Sequence, residues 1–241
     1  MLRIFQKGFN FSQDGPGNRL VYHLQGCNLR CPWCSNPEGL ALTGGQAYAT
    51  EELMEEVKRS SLMFFDGGGV TLTGGEVTMQ FDGAQEFLTC LHSEGIHTCI
   101  ETNGLCYRLP ELFPVLDLLI MDIKHYHSAT HQVMTGLPND FTIQNITAAL
   151  GASQPLALRI PLIGGFNASE TDARCFATIF TALGVPGNAT VELLPYHEYG
   201  KSKYGNLGMA YTMTEQARVS REQVRAYREI LETAGLTVIT T

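Results

Sequence analysis

Leu20-Val21-Tyr22-His23-Leu24-Gln25-Gly26-Cys27-Asn28-Leu29-Arg30-Cys31-Pro32-Trp33-Cys34 is a short apolar run that opens onto a loop carrying three thiols within eight residues. Thiolates this close are suited to holding a metal or cluster. A closed structural zinc site needs four ligands, and no fourth Cys or His follows at zinc-finger spacing. An iron–sulfur cluster normally takes four Cys ligands, so a cluster held by Cys27, Cys31 and Cys34 alone keeps one iron open to a substrate or cofactor. The chemistry is expected at that opening.

Outward from this loop, strand-like runs are read at 20–24, 69–73, 98–101, 118–122, 157–162, 191–195 and 237–240, each bounded by Gly, Pro or polar residues. Helical patterns lie between them. Thr50 is placed to cap a helix with Glu51 and Glu52 in its first turn. Ser169 with Asp172, and Ser220 with Gln223, form capping-box patterns, and Gly95 and Gly235 are placed to stop helices. Strands alternating with helices imply parallel β/α units, an α/β fold with its site at the C-terminal strand ends. About six such strands fall short of a closed eight-stranded barrel. The 241 residues suit one unit, 1–241, with no second domain.

A formal net charge of -8 argues against broad nucleic-acid binding, which needs clustered Lys and Arg that this sequence lacks. No basic segment with an apolar stretch opens the chain and no apolar run reaches membrane-spanning length, so a cytoplasmic protein without membrane attachment is expected. Seven Cys without a secretory leader do not read as a disulfide framework, and the scattered Cys90, Cys99, Cys106 and Cys175 read as small apolar filler.

The C-x3-C-x2-C spacing, with an aromatic residue before its last Cys, resembles the signature of radical S-adenosylmethionine enzymes. The wider run from His23 to Cys27 and on through Ser35-Asn36-Pro37-Glu38 resembles, more narrowly, the glycyl-radical-enzyme activating enzymes of the pyruvate formate-lyase activating type. That resemblance implies a partial (β/α)6 barrel with parallel strands, open on one side. No Cys lies between Cys34 and Cys90, so the chain resembles the compact single-cluster members that lack a ferredoxin-like insert.

The same resemblance implies site residues. Thr73-Gly74-Gly75-Glu76 resembles the motif holding the amino group of S-adenosylmethionine: two glycines let backbone carbonyls approach an ammonium, and Glu76 adds an acceptor or fixes the loop. Relatives usually have Pro after this Glu, where Val77 stands here. Glu101-Thr102-Asn103-Gly104 and Ile120-Met121-Asp122-Ile123-Lys124 match segments that line the cofactor. Thr102, Asp122, Ile123 and Lys124 are cofactor candidates; Glu101, Thr102, Asp122 and the Ile120 carbonyl are candidates for a Na+ or K+ site. Glu101 stands where the family has Asp, one methylene shorter. Arg159 is expected to meet the cofactor carboxylate, or else Asp122 or Glu101. His197, closing Glu192-Leu193-Leu194-Pro195-Tyr196-His197, is expected beside the adenosine, and Trp33 and Ser35 against the adenine, although the Trp33 ring alternatively shields the cluster. Asp14, in Asp14-Gly15-Pro16-Gly17, is a candidate substrate contact or a plain turn residue.

The function so implied is activation of a partner glycyl radical enzyme. A reduced [4Fe-4S] cluster would cleave S-adenosylmethionine, the resulting radical would take a Cα hydrogen from a glycine, and flavodoxin or ferredoxin would supply the electron. Two other readings stand beside it: a radical enzyme acting on a small molecule, and a non-catalytic cluster module for assembly or sensing.

Overall fold

The structure, a computed structural model, describes residues 1–239. Its elements in chain order are β1 (Leu2–Phe11), β2 (Asn18–Leu24), β3 (Gln46–Tyr48), α1 (Thr50–Ser60), β4 (Gly69–Gly74), α2 (Phe81–Ser93), β5 (Thr98–Thr102), β6 (Leu118–Asp122), α3 (Ser128–Thr135), α4 (Asp140–Gly151), β7 (Leu156–Leu162), α5 (Glu170–Leu183), β8 (Thr190–Pro195), α6 (Lys201–Asn206), α7 (Arg221–Thr233) and β9 (Thr237–Ile239). All seven strands read from the sequence are present; Thr240, the last residue of the seventh, lies outside the described residues.

The strands form one sheet in the order β3-β1-β2-β4-β5-β6-β7-β8-β9. From β2 to β9 every pairing is parallel and follows chain order, as repeated right-handed β/α units require. Among the described residues the sheet is larger than the expected six or so strands: the parallel run has seven, and β1 pairs antiparallel with β2 and β3 antiparallel with β1. Its two ends, β3 and β9, do not pair with each other among these residues, so the barrel stays open.

Period-2 alternation assigns the two faces. Leu20, Tyr22, Leu24, Val70, Leu72, Ile100, Leu119, Met121, Leu158, Ile160, Val191 and Leu193 belong to the main core, packed with Phe87 and Leu88 of α2, Ile146 of α4 and Phe176 and Phe180 of α5. The intervening residues face the lumen, where the register sets Thr71 beside Cys99, Glu101 beside Ile120, Asp122 beside Arg159, and Arg159 beside Glu192. One face is thus apolar and helix-covered, and the other is polar. Part of the lumen floor is apolar, where Cys99, Ile120 and Ala157 cluster with the half-buried Leu118.

The helix ends follow the caps. Ser169 Oγ accepts from Asp172 N at 3.1 Å while Asp172 Oδ2 accepts from Ser169 N at 2.9 Å. Ser220 and Gln223 do the same at 3.2 and 2.8 Å. Gly95 and Gly235, at φ +69° and +83°, carry the chain out of α2 and α7 in the left-handed region. The α1 cap differs by one residue from expectation: Glu52 Oε2 accepts from Ala49 N at 2.7 Å, and Thr50 is the first helical residue, its hydroxyl buried without a partner. The extended backbone of Ala49 lets Glu52 reach back, so the carboxylate caps the helix and no hydroxyl is needed.

Arg19 is fully buried at the lumen floor. Its Nε donates to Thr71 Oγ1 at 2.6 Å and its terminal nitrogens to the carbonyls of Val70 (2.7 Å), His97 (3.2 Å) and Pro16 (3.2 Å). It therefore ties β2 and β4 to the loop before β5 and to the 12–17 loop. Arg19→Leu would leave these acceptors unpaired, and we expect a loss of about 3 kcal/mol, read as a lower urea midpoint at an unchanged slope.

Candidate active site

The thiol loop springs from the C-terminal end of β2 and is fixed before it reaches its cysteines. Gln25 Nε2 donates to the Glu38 and Ala41 carbonyls at 2.9 and 2.7 Å. Gly26 N donates to Gly39 O at 3.0 Å, and Arg30 N to Thr135 O at the end of α3 at 2.8 Å. Arg30 Nη1 folds back on the carbonyls of Cys27 and Leu29, both at 2.7 Å. Cys27 packs with Leu29 and Leu40, with Cys31, Cys34 and Leu105 against them. Burial pushes the Cys27 thiol up to about 11 and the Cys31 thiol up to about 12, so the free chain holds thiols that ionise on binding metal. Among the described residues, no three His, Cys, Asp or Glu side chains converge as the ligands of one ion would.

The Gly-Gly-Glu segment at the end of β4 locks onto this loop. Gly75 N donates to Leu24 O at 2.9 Å and Glu76 N to Gly26 O at 2.8 Å. A Cβ on Gly75 would fall 2.3 Å from Gly26 O and 2.5 Å from Gly39 O, so glycine is required by backbone approach. Glu76, almost fully buried, fixes the loop: Oε1 accepts from Thr78 N (3.0 Å), Thr78 Oγ1 (2.7 Å) and Thr102 Oγ1 (2.6 Å), and Oε2 from Asn103 N (2.8 Å).

Between the thiol loop and the strand ends lies a cavity of about 250 Å³. It gathers Cys27, Cys31, Cys34, Trp33, Ser35, Gly74, Gly75, Glu76, Glu101, Thr102, Asp122, Lys124, Arg159 and His197, all of them singled out from the sequence. Three candidates are not in its wall. Ile123 is buried in the main core, its N–H bonded to Arg159 O at 2.8 Å. Ile120 lies inside β6 between β5 and β7, where the ladder uses its backbone, which argues against a free carbonyl for a cation. Asp14 sits in the 12–17 loop, accepting from Asn10 Nδ2, with its carbonyl accepting from Thr71 Oγ1 at 2.7 Å.

Arg159 finds its anions within the protein. Nε donates to Glu192 Oε2 at 2.6 Å, Nη1 to Glu101 Oε1 and Nη2 to Gln13 O. Of the expected partners Glu101 is present, Asp122 instead takes Lys124 Nζ at 2.6 Å, and Glu192, unassigned in the sequence, supplies the second carboxylate. Trp33 packs with Ile163 and Ala217 and against the Phe166 ring, centroids 5.1 Å apart. His197 is exposed at the cavity mouth, stacked on Tyr199 at 4.1 Å. Thr73, Asn36, Asn103 and Tyr196 also line the wall without having been assigned roles. Thr73 was findable from strand alternation. Asn103, whose Nδ2 donates to Asn28 Oδ1 at 2.7 Å, belongs to the Glu101-Thr102-Asn103-Gly104 segment.

An open parallel α/β barrel with three thiols over a strand-end cavity is the architecture of the radical SAM class, and the Radical SAM superfamily model matches residues 21–174. The chain belongs to that superfamily and, within it, to the family of the pyruvate formate-lyase-activating enzymes. It is 32% identical over 227 residues to the pyruvate formate-lyase 1-activating enzyme of Escherichia coli (strain K12), covering 92% of each chain. It is 31% identical over 263 residues to the choline trimethylamine-lyase activating enzyme of Oleidesulfovibrio alaskensis, covering 82% of this chain and 84% of that one. A domain of a pyruvate-formate lyase-activating enzyme from Bacteroides vulgatus ATCC 8482 superposes with a TM-score of 0.59 at 28% identity, over 73% of this chain and 99% of that one.

The residues present fit a [4Fe-4S] cluster and S-adenosylmethionine, the groups this superfamily implies. Three thiols in an apolar setting leave one ligand position to an incoming molecule. Beside them Glu76, Glu101 and Asp122 outnumber Lys124 and Arg159, an excess of carboxylate that suits a ligand bearing ammonium and sulfonium charge.

Two outcomes are expected. Gly75→Ala should spread the cradle and weaken S-adenosylmethionine binding to the reconstituted protein about tenfold or more, measured by equilibrium dialysis. Burial outweighs the Arg159 guanidinium and, with Asp14 and Asp122 nearby, holds the Glu101 carboxyl up to about 7. A carboxyl raised in the fold stabilises it when protonated, so this contribution is present at low pH and lost as pH rises through 7. The urea midpoint should fall between about pH 5 and 7.5, and Glu101→Gln should flatten that slope.

Proposed function

We propose that this chain activates a partner glycyl radical enzyme by reductive cleavage of S-adenosylmethionine at a [4Fe-4S] cluster held by Cys27, Cys31 and Cys34. The observation that carries the reading is the pairing of an incomplete thiol collar with the Gly74-Gly75-Glu76 cradle across one cavity, in a chain alike over nine-tenths of its length to an activating enzyme. The bound groups supply one-electron cleavage of the sulfonium and removal of a glycine Cα hydrogen from the partner.

The chain's own residues bind, orient and exclude water. Gly74 and Gly75 bring backbone oxygens to the methionine ammonium; Glu76, through Thr78, Thr102 and Asn103, keeps that edge rigid. Lys124, buried and next to Asp122, stays charged: burial disfavours its ammonium, but Asp122 and the neighbouring Cys31 hold its pKa above the ordinary lysine range. Held by Asp122, its ammonium keeps further N–H donors for the methionine carboxylate, whereas Arg159 is already shared between Glu101 and Glu192. Trp33, with Ile163 and Phe166, shields the thiols and offers a face to the adenine, Ser35 lies beside it, and His197 hydrogen-bonds from the mouth. Asp122 and Thr102 remain the oxygen donors for a Na+ or K+ ion. Glu101 is a poorer one, since it receives Arg159 and Thr73 Oγ1. Asp14 presents its carboxylate to the substrate segment.

The two relatives named above activate different lyases, pyruvate formate-lyase and choline trimethylamine-lyase. The proposed substrate is therefore the glycine loop these partners share as a class, with flavodoxin or ferredoxin as electron donor. The chain's acidity, a net charge of -8, disfavours nucleic acid, and no helix among the described residues is long and apolar enough to cross a membrane; we place the activity in the cytoplasm. A small-molecule substrate is not favoured, because the likeness to an activating enzyme covers 92% of this chain.

Anaerobic reconstitution should give close to four irons and four sulfides per chain, 5′-deoxyadenosine on reduction, and a glycyl radical spectrum when a cognate lyase is added. Cys31→Ala should lose most of the iron and cleavage by about a hundredfold or more. Normal cleavage by that variant would refute the assignment.

A further inference from the structure

The open side of the barrel is bridged twice. At the thiol-loop end, α6 straps across: Lys203 Nζ meets Asn36 Oδ1 at 2.9 Å and Glu38 Oε1 at 3.2 Å, and Gly200 lies so close that a Cβ there would fall 2.6 Å from Cys34 O. At the other end the 12–17 loop folds in, with Gln13 O on Arg159 and Asp14 O on Thr71. Between these bridges β1 leaves the inner face uncovered: Gln6 and Gly8 are exposed, and nothing lies within 4 Å of where a Gly8 Cβ would be.

His23 stands in this window, the last lumen-facing residue of β2 and the register partner of Gln6. Its ring packs on Phe5, centroids 5.7 Å apart, while Nδ1 is buried and has no hydrogen-bond partner among the described residues. Glu38 Oε2, on the upper frame, is likewise buried and without a hydrogen-bond partner among them. Few polar atoms in a native protein are left this way, because each forfeits the bond that water would have given. Both frames act on the ring: burial lowers its pKa, Asp14 and Glu38 raise it, and Lys203 lowers it. A backbone segment brings both things missing here, an N–H for a carboxylate oxygen or imidazole nitrogen and a carbonyl for an imidazole N–H. A glycine-bearing stretch brings the least side-chain bulk to such a window.

We infer that His23 is a specificity-determining substrate contact, hydrogen-bonding the backbone of an extended glycine-bearing segment that enters between α6 and the 12–17 loop, with Glu38 as the second contact. This rests on the function proposed above. The resting protein carries His23 at a loss of stability that the incoming chain relieves.

The test uses holoenzyme reconstituted anaerobically with bound S-adenosylmethionine, and acetyl-Ala-Ala-Gly-Ala-Ala-amide as probe, followed by titration calorimetry. His23→Phe, which keeps the ring packing on Phe5 but removes both nitrogens, should bind the peptide about tenfold more weakly. It should also melt about 2–4 °C higher, since an orphaned polar atom is gone. His23→Gln should restore binding to within about threefold of the wild type. A residue that merely filled space would lose melting temperature and binding together. Equal binding by His23→Phe, or no binding by the wild type, overturns the inference. A wild-type holoenzyme that binds the peptide yet forms no 5′-deoxyadenosine on reduction leaves His23 in place and sinks the function instead.

Discussion

One guanidinium sits where the barrel has to be held together from inside. Arg159 joins β7 to β8 through Glu192, to β5 through Glu101, and to the 12–17 loop through the Gln13 carbonyl. Two carboxylates about one cation leave the lumen short of positive charge, and burial makes that shortage expensive. The consequences spread along the wall. Glu101 is driven toward its protonated form, Asp122 takes Lys124, and Lys124 is held charged beside the thiols. A cavity built this way is rich in carboxyl groups and preorganised before any ligand arrives, and a cationic ligand would favour the charged form of Glu101.

The parallel body of the fold was legible because its strands are short apolar runs bounded by Gly, Pro or polar residues, and the chemistry sits at their C-terminal ends. Thr73-Gly74-Gly75-Glu76, Glu101-Thr102 and Asp122-Ile123-Lys124 are such ends, so local patterns located most of the cavity wall. The antiparallel hairpin was not legible. In β1 only Leu2 and Ile4 are buried and the strand presents polar side chains on both faces, while β3 is three residues long and mostly exposed. Neither leaves the hydrophobic signature from which strands are read. Ion-pair partners were illegible for a different reason. Which carboxylate meets Arg159 depends on register across three strands, and sequence spacing carries no register between distant segments.

The two glycine sets serve opposite ends of the same strands. At Gly75 the missing Cβ lets the β4 end press on the thiol loop. At Gly68 and Gly69 it lets the strand start press on the backbone of Asn18 and His97, where a Cβ would fall 2.0 and 2.1 Å from their carbonyl oxygens. The β4 strand is clamped top and bottom by backbone contacts that no larger residue permits. Its lumen residues, Thr71 and Thr73, are thereby set at fixed depth, where they receive Arg19 and donate to Glu101. Precision at the cavity therefore comes from backbone approach and not from side-chain bulk.

An incomplete barrel answers a conflict between two needs of the proposed reaction. Reactive chemistry calls for a dry, enclosed centre, and a folded protein as substrate calls for an entrance. A full ring of parallel strands would satisfy the first and defeat the second. Here the strand beside β2 runs the other way, so β1 and β3 form one sheet edge and the outer edge of β9 has no strand partner among the described residues. Ring closure is replaced by a short helix and a turn, each attached through a few polar contacts that can be exchanged for contacts to a peptide. The thiols lie under the helix and Arg159 lies above the turn, so a chain passing between them reaches the cavity while the cofactor side stays covered. Polar atoms left unpaired along such an entrance follow from the same logic: hydrogen bonds that must be available to a visitor cannot be fully spent at rest.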